Sequence, residues 1–199
     1  MPNHTTTEII LKGKPEILAG FVKKYMVWEG SDAFLDFDKV IPRPKTPEEC
    51  EPEFVIMDAE DAKSRCLQYE SEEDWFDWYH WDIKNWGTKW NSYDGTCPTP
   101  EEILEDKMEE VRIWLYTAWS PAMPVYEKLQ KLHDDIVMDV YYADEGGFFV
   151  GHLHYNGRDE WYSGDFNQPD AKAICDELGQ EYLYEPFEDE DECDAKEVS

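Results

Sequence analysis

Apolar and polar positions alternate along the chain with two distinct periods, and each change of period marks an element. Over residues 5–12, Thr5, Thr7, Ile9 and Leu11 fall on one side and Glu8 and Lys12 on the other, which predicts a strand. Gly13 interrupts it and Pro15 suits the first turn of a helix. Ile17, Leu18, Phe21, Val22 and Tyr25 then recur at helical spacing, with Lys23 and Lys24 outside the stripe. After Gly30, residues 34–40 predict a second strand, and the prolines of residues 42–47 stop regular structure. The period of two returns over residues 111–119, with Val111, Ile113, Leu115 and Thr117 on one face. Ser120-Pro121 opens a helix with Val125, Leu129 and Leu132 on its stripe, and Ile136, Met138, Val140 and Tyr142 form the next strand. Gly146-Gly147 turns into residues 148–155, and Asn156-Gly157 signals a hairpin into residues 160–162. A last helix over residues 170–178 buries Ala171, Ile174, Cys175 and Leu178, with Gly179 as its stop.

Residues 42–110 interrupt this pattern and read as an insertion. They hold a helix near residues 58–69, an aromatic block over residues 75–90 and a turn at Asp94-Gly95. Thr99 is placed to cap an acidic helix over residues 101–110. Without the insertion the order is strand, helix, strand, strand, helix, strand, then a hairpin and a helix. That order predicts an α+β, ferredoxin-like split βαβ sandwich, its antiparallel sheet covered on one face by helices. The expectation is a single domain over residues 1–184 with an acidic, disordered tail over residues 185–199.

Composition narrows the classes of function. Of 199 residues, 41% are hydrophobic and 15% aromatic, enough for a packed core. No run of about 18 uncharged apolar residues occurs, so no membrane span is expected, and the N-terminus lacks a secretory pattern, so the expected location is cytoplasmic. Cys50, Cys66, Cys97, Cys175 and Cys193 are scattered without a CxxC pair and read as separate reduced thiols. Forty-seven acidic against 18 basic residues leave a net charge of −29. Such a surface repels phosphates and anionic membranes and favours basic partners.

Several local runs resemble a known family. Pro2-Asn3-His4, Trp78-Tyr79, the block Asn85-Trp86-Gly87-Thr88-Lys89-Trp90, Thr117-Ala118-Trp119-Ser120-Pro121 and Glu145-Gly146-Gly147-Phe148 with Gly151 are similar to small phage- and plasmid-borne proteins carrying a ferredoxin-like domain, of Api-type or YubB-like kind. The resemblance spans roughly residues 1–157. It implies the ferredoxin-like fold and a home on mobile genetic elements in a host bacterium, and it implies no activity.

Three features carry candidate chemistry. The aromatic block either offers a stacking platform for bases or wedges the insertion against the sheet, and large aromatics dominate cores. His152 and His154 share a strand face near Asp159, Glu160 and Asp165, which reads as paired histidines rather than a metal site, so no metal or cofactor is expected. No GxSxG, P-loop, GxGxxG or HExxH motif occurs, and a non-enzymatic protein is expected. The charge is the strongest signal, since the acids of the insertion are interleaved with aromatics and so must sit on an ordered surface. The leading expectation is an inhibitor of a basic, nucleic-acid-binding host defence protein of the CRISPR or restriction type, presenting Glu70, Glu72, Glu73, Asp74 and Asp77 in place of phosphates. The alternatives are a nucleotide-sequestering pocket formed by Trp78, Asn85, Trp86 and Trp90 with Thr88 and Lys89 at phosphate, or an accessory protein binding a basic partner.

Overall fold

The alternating segment near the N-terminus becomes the central strand. In the computed structural model, which describes residues 3–71 and 73–184, β1 (His4–Lys12) lies antiparallel between β5 (Glu110–Ala118) and β6 (Val137–Asp144). Ile9 sits opposite Ile113 on one side and Val140 on the other, so branched side chains cross three strands in one buried row. Onto this row α1 (Pro15–Tyr25) lays Leu18, Phe21, Val22 and Tyr25, and α5 (Met123–Leu132) lays Val125, Tyr126 and Leu129. The strand–helix repeat around a shared sheet is the ferredoxin-like α+β arrangement expected from the pattern.

The sheet is larger than that core, with eight strands in the order β2-β3-β4-β5-β1-β6-β7-β8. β2 (Met26–Glu29) and β3 (Asp32–Leu35) pair as a hairpin at one edge. The position beside β5 is taken by β4 (Tyr93–Thr96), which comes from inside the insertion. The expected turn at Asp94-Gly95 is therefore a strand. A Cβ on Gly95 would lie 2.3 Å from the Trp114 carbonyl oxygen and 2.6 Å from that of Ala33, so glycine alone lets β4 fit between β3 and β5. The second strand also ends sooner than expected. Asp36 turns its carboxylate back to accept the Asp38 N–H, and Phe37–Lys39 coil into a 3₁₀ turn.

The insertion's helices are shorter than their patterns. α2 (Ala59–Ser64) is capped by the Asp58 carboxylate and ends before Cys66 adopts φ +60°. α3 (Trp78–Asn85) follows. α4 (Pro100–Glu105) starts on the expected Thr99 cap, completed by Glu102 as a capping box, but Lys107 at φ +52° stops it and β5 follows.

Helices cover both faces of the sheet, not one. β7 (Phe149–Leu153) and β8 (Asp159–Ser163) extend it beyond β6, and α6 (Pro169–Glu177) packs on the face away from α1 and α5. There Ala143, Val150, Phe166, Ala171, Ile174, Cys175 and Leu178 form a second core. On the first face the Tyr142 ring covers Gly151, where a Cβ would stand 2.2 Å from Cζ of that ring, and the Tyr142 hydroxyl donates to Asp159 at 2.8 Å. No helix among the described residues is long and apolar enough to cross a membrane. The tail, with Cys193, lies outside the described residues.

Candidate functional site

The expected acidic face divides into anchors and displayed groups. Asp77 is 2% exposed and caps α3, accepting the His80 N–H at 3.1 Å while pairing with Arg65 at 3.5 Å and the His80 ring at 2.9 Å. Asp74 is half-buried and closes a turn by accepting the N–H groups of Glu70 and Ser71 at 2.7 and 3.0 Å. Both carboxylates therefore hold local backbone, and Asp74 also lines the groove beside Trp78. Glu70 and Glu73 are exposed, and Glu72 lies outside the described residues. Further exposed carboxylates stand on the ordered 3₁₀ turns of the insertion, at Glu48, Glu49, Glu51 and Glu53, the last two bridged by Lys84 at 2.6 Å.

The aromatic block divides in the same way. Trp86 is fully buried, its indole N–H donating to the Ile41 carbonyl at 2.8 Å and its ring edge-on to Phe37 and Trp81. The Arg43 guanidinium lies 4.3 Å above that ring and forks onto Asp82, which is also wholly buried. Burial pushes the Asp82 carboxyl up to about 6 against the opposing pull of Arg43. Thr88 is buried and donates to the Ala118 carbonyl at 2.8 Å, tying the insertion to the end of β5, and the Asn85 amide donates to the Trp81 carbonyl at 3.1 Å. Asn85, Trp86 and Thr88 thus hold the insertion in place and are not among the residues lining the groove beside Trp78.

Trp78 and Lys89 do meet at a groove of about 690 Å³, lined also by Ile56, Phe76, Tyr79 and Arg65. The Lys89 ammonium lies 4.7 Å from the ring centroids of both Trp90 and Trp119 and 5.8 Å from that of Tyr79. Two cations, Lys89 and Arg65, thus stand among aromatic faces at this groove, with Asp74 also in its lining.

The histidine pair gains a partner that spacing did not reveal. His152 is buried and stacks on Tyr141 with centroids 3.9 Å apart, and its Nε2 meets Asp139 Oδ1 at 3.1 Å. Asp139 alternates out of phase with Met138 and Val140, so it shares the outer face with His152, yet only the cross-strand register brings the two together. Burial raises the Asp139 carboxyl, but His152 and the Tyr155 N–H outweigh it and hold it below the usual range. Of the acids expected nearby, Glu160 faces the pair, with its Oε2 3.3 Å from His154 Nε2. Asp159 accepts from Tyr142, and Asp165 from the Asn167 N–H at 3.0 Å. Elsewhere, His4 Nδ1 meets the Tyr93 hydroxyl at 2.7 Å, and burial lowers the pKa of His133, whose Nε2 lies 3.0 Å from the Tyr25 hydroxyl. Cys50, Cys66, Cys97 and Cys175 are unpaired; burial raises the Cys97 thiol to about 12 and Cys175 to about 11.

The fold and its paired strand–helix units define a ferredoxin-like domain. A family model for the ferredoxin-like domain in Api92-like protein matches residues 85–185, half of the chain, and the chain belongs to that family. The match begins at Asn85, so it takes in the Asn-Trp-Gly-Thr-Lys-Trp block and leaves Pro2-Asn3-His4 and Trp78-Tyr79 outside it. No curated protein and no solved structure matches the chain.

Proposed function

We propose that this chain is a non-enzymatic, cytoplasmic accessory protein of a phage or plasmid that occupies the nucleic-acid groove of a basic host defence protein. The observation that carries this reading is a net charge of −29 on a chain whose insertion holds Glu48, Glu49, Glu70 and Glu73 exposed on an ordered frame. Carboxylates on a rigid surface meet a basic cleft without the ordering entropy a flexible acidic tail would lose, and they speed association at low salt. The structural carboxylates Asp74, Asp77 and Asp82 fix the frame from inside. The test is inhibition of DNA cleavage by a panel of purified restriction endonucleases and CRISPR effectors. At least one member is inhibited by the native chain, and reversing Glu48, Glu49, Glu70 and Glu73 to Lys weakens that inhibition tenfold or more. Inhibition that survives the reversal, or a panel with no member inhibited, overturns the reading.

The groove supports a second reading, the sequestering of a small anionic aromatic ligand such as a nucleotide. Trp78 would stack on the base and Lys89 and Arg65 would meet the phosphate, with Trp86 absent from the contact. A nucleotide that raises the melting temperature of the native chain but not of Lys89→Ala supports it, and no shift across a nucleotide panel removes it.

A further inference from the structure

At the far end of the β6–β7–β8 meander, on the face away from α1 and α5, side chains gather that neither the acidic insertion nor the groove uses. Strand parity brings them together. His152 pairs directly with Tyr141 on β6 and with Glu160 on β8. Two residues along each strand, His154 and Asp139 point to the same face. One donor atom each from Asp139, His152 and His154 lie within 4.8 Å of one another.

We propose that this cluster binds a divalent transition ion of the Zn²⁺ class, held by Asp139, His152 and His154 with Glu160 as the fourth donor. Two imidazoles and carboxylate suit a borderline ion rather than Ca²⁺ or Mg²⁺, which prefer oxygen alone. A tetrahedral ion with bonds of about 2.0–2.2 Å sets its donors about 3.3 Å apart. Asp139 and His152 at 3.1 Å, and His154 and Glu160 at 3.3 Å, already stand at that spacing. Bringing the Asp139, His152 and His154 donors from within 4.8 Å to that spacing needs a closure of about 1.5 Å at most, and Glu160 joins from its place beside His154. The ligands are also oriented from behind, His152 by its stack on Tyr141 and Asp139 by the Tyr155 N–H at 3.1 Å. The two imidazole rings lie 3.6 Å apart, close enough to present their nitrogens to one ion. Arg158 is the competitor, with Nη2 3.1 Å from His154 Nε2 and 2.9 Å from Glu160 Oε1. Its side chain is 62% exposed and can swing into water as the ion enters.

The test is calorimetric titration of ZnCl₂ into the chelator-treated full-length chain, with CoCl₂ added separately to read the visible bands of a tetrahedral nitrogen–oxygen site. One ion binds per chain with micromolar or tighter affinity. Affinity falls tenfold or more in His154→Ala and in Asp139→Asn, and stays unchanged in Glu127→Gln, a carboxylate elsewhere on the surface. Arg158→Ala, an exposed change that leaves the ligands in place, tightens binding. No saturable binding, equal affinity in the ligand variants, or CaCl₂ competing on equal terms with ZnCl₂ overturns the site.

Discussion

Trp86 and Trp78 lie eight positions apart in one aromatic run, yet they do opposite work. Trp86 has no exposed surface and links Phe37, Trp81, Arg43 and the Ile41 carbonyl, so it joins the insertion to the core. Trp86→Ala is expected to cost about 3–5 kcal/mol in urea unfolding. Trp78→Ala, at a residue 43% exposed, should cost under about 1 kcal/mol. Similar losses for the two would contradict the division of the block into anchor and groove. Asp82 adds a pH signature. Its folded pKa of about 6 lies above the ordinary carboxylate value, so the stability it contributes is complete below about pH 4 and is lost as pH rises through 6. Relative to Asp82→Asn, the native chain should lose up to about 3 kcal/mol between pH 4 and 7, read from urea midpoints at each pH. A difference that does not vary with pH would contradict that assignment.

Among the elements, those with a clear period were legible in the sequence. β1, α1, β5, α5, β6 and the β7–β8 hairpin fall within a few residues of where alternation or helical spacing placed them, because each buries one face and exposes the other. β4 was not legible. It is four residues long, contains Gly95 and is held by its neighbours' backbones, so it carries no alternation of its own. The acidic residues of the candidate site were visible as a charge run, but their division into caps and displayed groups depends on which N–H each carboxylate meets. Asp139 was invisible for a third reason: its partners are set by register between strands. Register also explains Glu8, wholly buried in β1 where α6 covers the sheet, with Arg112 of β5 beside it at 2.9 Å. Burial raises the Glu8 carboxyl while Arg112 opposes that rise, and Arg112 also holds Glu110 and Glu177 at 3.0 and 2.6 Å. Removing the guanidinium leaves a buried acid without its counter-charge. Arg112→Met should therefore cost about 3–5 kcal/mol in urea unfolding, and adding Glu8→Gln should recover part of that loss. A neutral Arg112→Met would mean that Glu8 is already protonated in the native chain.

For the whole molecule, the ferredoxin-like sheet acts as a frame. One face and edge carry the acidic insertion and its groove, and the far end of the other face carries the histidine–aspartate cluster. The charge of −29 acts on all of them together, favouring cations and basic surfaces and disfavouring nucleic acid. If the acidic surface takes the place of phosphates, its association must weaken with salt much as duplex binding does. The most direct measurement is displacement of a labelled duplex from an inhibited defence nuclease by the full-length chain, across a series of salt concentrations. The account predicts one-for-one displacement whose inhibition constant rises steeply as salt rises. Inhibition of cleavage while the duplex stays bound, or displacement that is independent of salt, would contradict it.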